Sequence, residues 1–168
     1  RACHPVTGLN SDYTEFSGEP HPTSWMKPGF RYDSWRVPMN IAMDYLWYGK
    51  DKKWQEDYAE RFQNFLRSEG INSFKDQYNL DGSKPDWILP AGDYDPKLRH
   101  SLGLISTAAA ASLINVNNNK ESLDFVHKLW NEKLEPYDDG YFDPYYDGLL
   151  YLFSLMHLSG KYQIITPN

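Results

Sequence analysis

Five helical segments alternate in character between residues 34 and 160, and that alternation constrains the fold more tightly than any single motif. The middle one, "LRHSLGLISTAAAASLINV" from about 98 to 116, carries no charge after Arg99 and His100, and its small residues permit close helix contact. Two other segments share this character. From about 34 to 48, Trp35, Val37, Met39, Ile41, Met43, Leu46 and Trp47 cover every face, with Pro38 in the first turn and Gly49 as a stop. From 145 to 160, "YYDGLLYLFSLMHLSG" is apolar in the same way.

Between these lie two amphipathic segments. Residues from about 51 to 68 open on Asp51, a helix-capping residue type, and line up Trp54, Tyr58, Phe62, Phe65 and Leu66 against a face of Lys, Glu, Gln and Arg. Residues from about 120 to 134 place Leu123, Val126, Leu129, Trp130 and Leu134 as the apolar stripe, so core packing accounts for Trp54 and Trp130. A simple bundle would make most of its helices amphipathic. The order buried, surface, buried, surface, buried instead predicts an all-α toroid, in which inner helices meet neighbours on every side and outer helices cover them. Residues 1 to 32 read as turn-rich loop with at most short strands. The stretch from 70 to 97 is too long for an ordinary connection and is expected to be a packed excursion or a functional loop.

In such a toroid the charged start of each inner helix faces one rim. Three groups gather there: Asp33 with Arg36, Arg99 with His100, and Asp143 and Asp147 with Tyr141, Tyr145 and Tyr146. Asp33 admits two readings. It can cap the helix, with Arg36 as its salt-bridge partner, or it can be a general base whose charged form the nearby cation favours. One carboxylate alone does not make a glycosidase, because hydrolysis needs a second one as acid.

Composition narrows the partners. The net charge is −6 with basic residues dispersed, which is no footprint of a nucleic-acid binder. No apolar stretch approaches the roughly 20 residues of a membrane span. Six Trp and thirteen Tyr in a polar chain suit either an aromatic core or a site that stacks on sugar faces. The single cysteine, Cys3, excludes an internal disulfide and leaves the compartment open, cytoplasmic or periplasmic. The histidines show no helical metal-ligand pair, no phosphate loop is present, and no metal or cofactor is expected. "DYDP" at 93 to 96 lacks EF-hand spacing, and Trp87 and Tyr94 are loop aromatics that could stack a sugar or pin the loop.

"TGLNSDYTEFSGEP", then "GFRYDSWRVPMNIAMDYLWYG", then "PYYDGLLYLFSLMHLSGKY" resemble, in this order, the C-terminal half of glycoside hydrolase family 8, and most nearly its reducing-end xylose-releasing exo-oligoxylanases. The Tyr-Asp-x-x-Arg-x-Pro segment is the most specific part. The resemblance implies half of an (α/α)6 barrel and an inverting mechanism on β-1,4-linked xylo-oligosaccharides, with Asp33 as catalytic base. It also implies that Tyr32 and Arg36 contact the sugar and orient that carboxylate, and that Tyr145 and Tyr146 line the cleft.

Two departures stand beside it. The family's general acid is a glutamate of the N-terminal half, and none of Glu15, Glu19, Glu56 or Glu60 sits in the matching motif. Exo-acting members carry a Leu-His-Pro loop, whereas "KLRHSLGL" has His100 with no proline after it. Residues 1 to 168 are therefore expected to form a partial catalytic domain, inactive alone, whose inner helices seek the N-terminal half or a second copy as partner.

Overall fold

The computed structural model describes residues 2–22, 27–85 and 97–164. It is helical: α1 spans Arg36–Trp47, α2 Lys52–Ser68, α3 Leu102–Ala110, α4 Asn119–Asn131 and α5 Tyr146–Leu158. Among the described residues there is no strand, only three isolated bridges, Cys3 with Asn10, Thr14 with Pro20 and Phe30 with Tyr78. The helix α3 lies at the centre. Every one of its nine residues is buried, and α1, α4 and α5 all pack on it. The sequence Leu-Gly-Leu-Ile-Ser-Thr-Ala-Ala-Ala permits this because small side chains let neighbouring backbones approach, and Ser106 and Thr107 return their hydroxyl protons to Leu102 and Leu104 carbonyls of the same helix.

The alternation of inner and outer helices holds. α1, α3 and α5 are the apolar inner elements, and α2 and α4 show the charged outer faces expected of them. Only α3 is buried all round, however. α1 buries Pro38, Met39 and Ala42 and leaves Leu46 half-exposed; α5 buries Leu150, Ser154 and His157 and leaves Leu149 and Leu152 exposed. Each of these two helices has α3 on one side, and its apolar residues away from α3 face outward. Gly49 ends α1 as expected, in the left-handed region at φ +55° with its N–H donating to the Asp44 carbonyl.

Three details of the outer helices differ from expectation. Asp51 occupies the cap position of α2 without a side-chain capping bond. On α4 the core face is Ser122, Phe125 and Leu129, while Leu123 and Trp130 are exposed, Trp130 by 78%, and Leu134 lies exposed beyond the end of the helix. The apolar stripe misleads because the core side of α4 includes a polar residue, and Trp130 lies about 100° around the helix from Leu129. Trp54 is likewise 41% exposed, stacked on Tyr58 rather than enclosed.

The polar residue on α4 belongs to a buried network centred on Gln63. Its amide donates to the Ala108 carbonyl at 2.7 Å and to Ser112 Oγ at 2.9 Å. Its carbonyl accepts from Asn115 Nδ2 at 2.7 Å and Ser122 Oγ at 2.8 Å. All four hydrogen-bonding positions of one buried glutamine are thus used, which joins α2 to α3, α4 and the turn between them. Gln63→Leu keeps the volume but strands several buried partners. It is expected to destabilise the chain by about 3 kcal/mol, lowering the thermal midpoint by roughly 6–12 °C, as read by circular dichroism; an unchanged midpoint would refute the role of this network.

Candidate functional site

The N-terminal loop and the start of α1 are joined by a buried ion pair. Arg31 is fully enclosed; its Nε donates to Asp12 Oδ2 at 2.8 Å and its Nη2 to the Lys27 carbonyl at 2.7 Å. A charge with no exposure is tolerated only when partnered in this way. Immediately after it comes a short 3₁₀ turn, Tyr32–Trp35, whose first residue adopts φ +39°, a left-handed conformation rare outside glycine. Asp33 therefore lies inside the turn, and its carboxylate caps no helix. It pairs with Arg36 Nη2 at 2.9 Å, both side chains being about half-exposed.

Beside this turn lies a cavity of about 380 Å³. Four carboxyl groups border it: Asp33, Asp76, Asp143 and Asp147. Tyr32, Trp35, Tyr137, Tyr141 and Tyr146 supply aromatic walls, and Arg99 and Ser101 complete it. The excursion after α2 provides its floor. Residues 74, 76, 77 and 78 are buried there, and Phe30 and Tyr78 exchange backbone hydrogen bonds. The Asp76 carbonyl accepts the Trp35 indole N–H at 2.9 Å. Its carboxyl accepts the Arg99 backbone N–H at 3.1 Å and the Ser101 hydroxyl at 2.9 Å. Burial pushes the Asp76 carboxyl up to about 6, against the opposing pull of these hydrogen bonds.

Asp147 is the counterpart from α5. Burial raises its pKa too, while hydrogen bonds from Tyr137 and Gly103 oppose the rise. Its Oδ1 accepts the Gly103 N–H at 2.9 Å, Oδ2 accepts the Tyr137 hydroxyl, and that hydroxyl accepts the Leu102 N–H at 3.3 Å. Two N–H groups that α3 leaves unpaired at its start are thereby satisfied, Gly103 by the acid itself and Leu102 by the tyrosine hydroxyl bound to it, and a carboxyl group there also suits the helix dipole. Gly103 has no room for a side chain, since a Cβ there would lie 2.5 Å from Asp147 Oδ1. On the opposite wall Arg99 donates to Asp139 through Nε at 3.0 Å, and its guanidinium lies 4.1 Å from the Tyr141 ring centre.

The residues expected at the rim divide. Asp33, Tyr32, Tyr146, Arg99, Asp143, Asp147 and Tyr141 meet in this cavity. Arg36 reaches Asp33 from the far side and lines a separate cavity with Asn40 and Trp54. His100 does not enter the site. Its ring packs edge-on against Phe74, Nδ1–H donates to the Phe74 carbonyl at 2.7 Å, and burial lowers its pKa. Tyr145 is 76% exposed and lies outside the lining. Their sequence neighbours Arg99 and Tyr146 border the cavity instead. Asp76, Trp35, Ser101 and Tyr137 are the additions that the sequence did not mark as site residues. Trp87, Tyr94 and the DYDP segment lie outside the described residues, and among the described residues no cluster of His, Cys, Asp and Glu could hold a metal.

An aromatic-walled cavity edged with carboxyl groups and hydrogen-bond donors is chemically fitted to a polyhydroxylated ligand. No family model matches the chain. Over 166 residues it is 32% identical to the reducing-end xylose-releasing exo-oligoxylanase Rex8A of Paenibacillus barcinonensis, a match to 97% of this chain and 39% of that protein. The structure of that Rex8A complexed with xylose superposes with a TM-score of 0.79 and 31% identity, over 99% of this chain and 40% of that one. A GH8 xylobiose complex from Teredinibacter turnerae superposes with a TM-score of 0.76 at 36% identity, over 96% of this chain and 37% of that one. The chain thus spans about two fifths of the length of the relatives it matches.

Asp76 generates a pH prediction. With a folded pKa of about 6 against 3.8 unfolded, the native state binds more protons between these values, so stability falls as pH rises through that window. The full loss is about 3 kcal/mol. Asp76→Asn should flatten this part of the profile when urea midpoints are measured from pH 4 to 7. Parallel profiles for the two proteins would refute it.

Proposed function

We propose that this chain, similar over nearly its whole length to enzymes of glycoside hydrolase family 8, is the base-bearing part of a longer enzyme that hydrolyses β-1,4-linked xylo-oligosaccharides with inversion. The observation that carries the reading is Asp33: its carboxylate sits at the edge of an aromatic, acidic cavity, held by Arg36 at 2.9 Å within the Tyr-Asp-x-x-Arg-x-Pro segment. The relatives bearing on the substrate class are an exo-oligoxylanase and a GH8 structure in complex with xylobiose.

In this reading Asp33 takes a proton from a water molecule as that water attacks the anomeric carbon on the face opposite the departing sugar. Arg36 holds the carboxylate at one oxygen and leaves the other for the water. The sugar ring rests against aromatic faces such as Tyr32 and Tyr146, and the buried carboxyls Asp76 and Asp147 keep Arg99, Ser101 and the start of α3 in place around it. Protonation of the leaving oxygen falls to an acid outside this chain, roughly 6.5 to 9.5 Å from Asp33 to leave room for the water. The outward apolar sides of α1 and α5 fit further helices of the same longer polypeptide. A second reading, an endo-acting glucanase, draws on the 26% identity over 156 residues to Endoglucanase A of Acetivibrio thermocellus.

The base assignment is tested in the full-length protein. Asp33→Asn should lower turnover of xylotriose by about 10² to 10⁴-fold, and a rate within a few-fold of the parent would refute it. Product analysis on xylo- and cello-oligosaccharides separates the two substrate readings. The 168-residue chain alone should bind xylo-oligosaccharides in calorimetric titration without releasing xylose, and should sediment as a dimer or larger species. Hydrolysis by the isolated chain would overturn the division of the site, and a monodisperse monomer would overturn the proposed covering of α1 and α5.

A further inference from the structure

The strained residue of the site lies next to the proposed base and is held from a distant part of the chain. Tyr32 adopts φ +39°, and its carbonyl accepts a hydrogen bond from the Tyr146 hydroxyl at 2.8 Å, across 114 residues of sequence. That carbonyl belongs to the peptide joining Tyr32 to Asp33. Its plane sets the direction in which the backbone enters Asp33, and so the direction of the carboxylate. A residue with a Cβ does not stay in the left-handed region unless its surroundings hold it there.

The surroundings supply two anchors. Upstream, Arg31 is enclosed by Asp12 and the Lys27 carbonyl, and its own carbonyl accepts the Ser34 N–H at 2.9 Å to close the turn. These contacts fix where the turn begins and close it around the Tyr32–Asp33 peptide. The second anchor acts on that peptide. Tyr146 stands at the start of α5, its N–H donates to Asp143 Oδ1 at 2.9 Å, and its ring packs 5.8 Å from Trp35, which in turn packs 5.7 Å from Tyr32. The hydroxyl is thereby directed at the Tyr32 carbonyl, although the ring also borders the cavity.

We propose that Tyr146 is a positioning residue for Asp33: its hydroxyl locks the Tyr32–Asp33 peptide in the left-handed turn that presents the carboxylate to the cavity. This rests on the reading of Asp33 as the base. It assigns Tyr146 a function that a sugar-stacking ring alone would not have, since stacking needs the ring and not the hydroxyl. It also makes a coupling between residues 146 and 32 necessary. Where residue 32 can adopt positive φ without strain, the hydroxyl becomes dispensable.

The test compares Tyr146→Phe, Tyr32→Gly and the double variant in the full-length protein with xylotriose as substrate, alongside Asp33→Asn. Tyr146→Phe should lower kcat by roughly tenfold or more with KM changed by less than about twofold, as for a misplaced reacting group. In the Tyr32→Gly background the same substitution should cost less than about twofold, because glycine enters the left-handed region without the steric penalty that the hydroxyl otherwise offsets. The structure of the 168-residue Tyr146→Phe chain should show residue 32 out of the left-handed region. Should Tyr146→Phe fail to fold while the double variant folds, the coupling is supported; if neither folds, the hydroxyl is a general structural element and the proposal falls. An unchanged kcat, a change in KM alone, or an equal loss in both backgrounds would also overturn it. If Asp33→Asn is inactive while Tyr146→Phe is not, positioning fails and the base reading stands. If Asp33→Asn retains turnover, the base reading itself has failed, and positioning with it.

Discussion

The burial of α3 on every side is the constraint from which the rest follows. A helix with no polar face needs neighbours all round it, and α1, α4 and α5 are packed on it, with the Gln63 amide reaching one of its carbonyls from α2. Its unpaired N-terminal groups cannot turn to water, so an acid and a tyrosine hydroxyl must come to them, and Asp147 and Tyr137 do. Packing of the core and construction of the site are therefore one problem. The carboxyl that completes the helix also forms a wall of the cavity.

Polar groups in this chain are buried where they join segments far apart in sequence. Arg31 with Asp12 ties the N-terminal loop to the entrance of α1, Asp76 ties the excursion after α2 to Trp35 and Ser101, and Gln63 ties three helices. Each is costly if left unpartnered and favourable when its geometry is met, which makes such groups specific more than stabilising. The first two flank the turn that carries Asp33, Arg31 by preceding it and Asp76 by bordering the same cavity, around a carboxylate that is itself half-exposed.

Much of this was legible before any coordinates. The alternation of uncharged and amphipathic segments located all five helices, since helix periodicity depends on residues three and four apart. Asp33, Arg36, Arg99, Asp143 and Asp147 were legible as rim residues because each precedes or opens an apolar helix. That His100 and Tyr145 do not border the cavity was not legible, because a sequence shows that a residue is near a helix start and not which way it points. Asp76 was overlooked because it sits in an irregular stretch with no periodicity, and its place beside Trp35 and Ser101 comes from long-range packing. The face of α4 was misjudged for a related reason. Ser122 turns inward only because Gln63 is there to receive its proton.

The sequence by itself determined the class of fold, the order of inner and outer helices, the neighbourhood of the site and the Asp33 and Arg36 pairing three residues apart. These are local properties, set by side-chain spacing along one helix or turn. The tertiary structure alone decided that Tyr32 is held left-handed by a hydroxyl 114 residues away, that Asp76 and Asp147 are buried acids with raised pKa values, and that Arg31 is enclosed. The physical reason is that desolvation and strain depend on what surrounds a group in three dimensions, and most of those surroundings are supplied by distant parts of the chain.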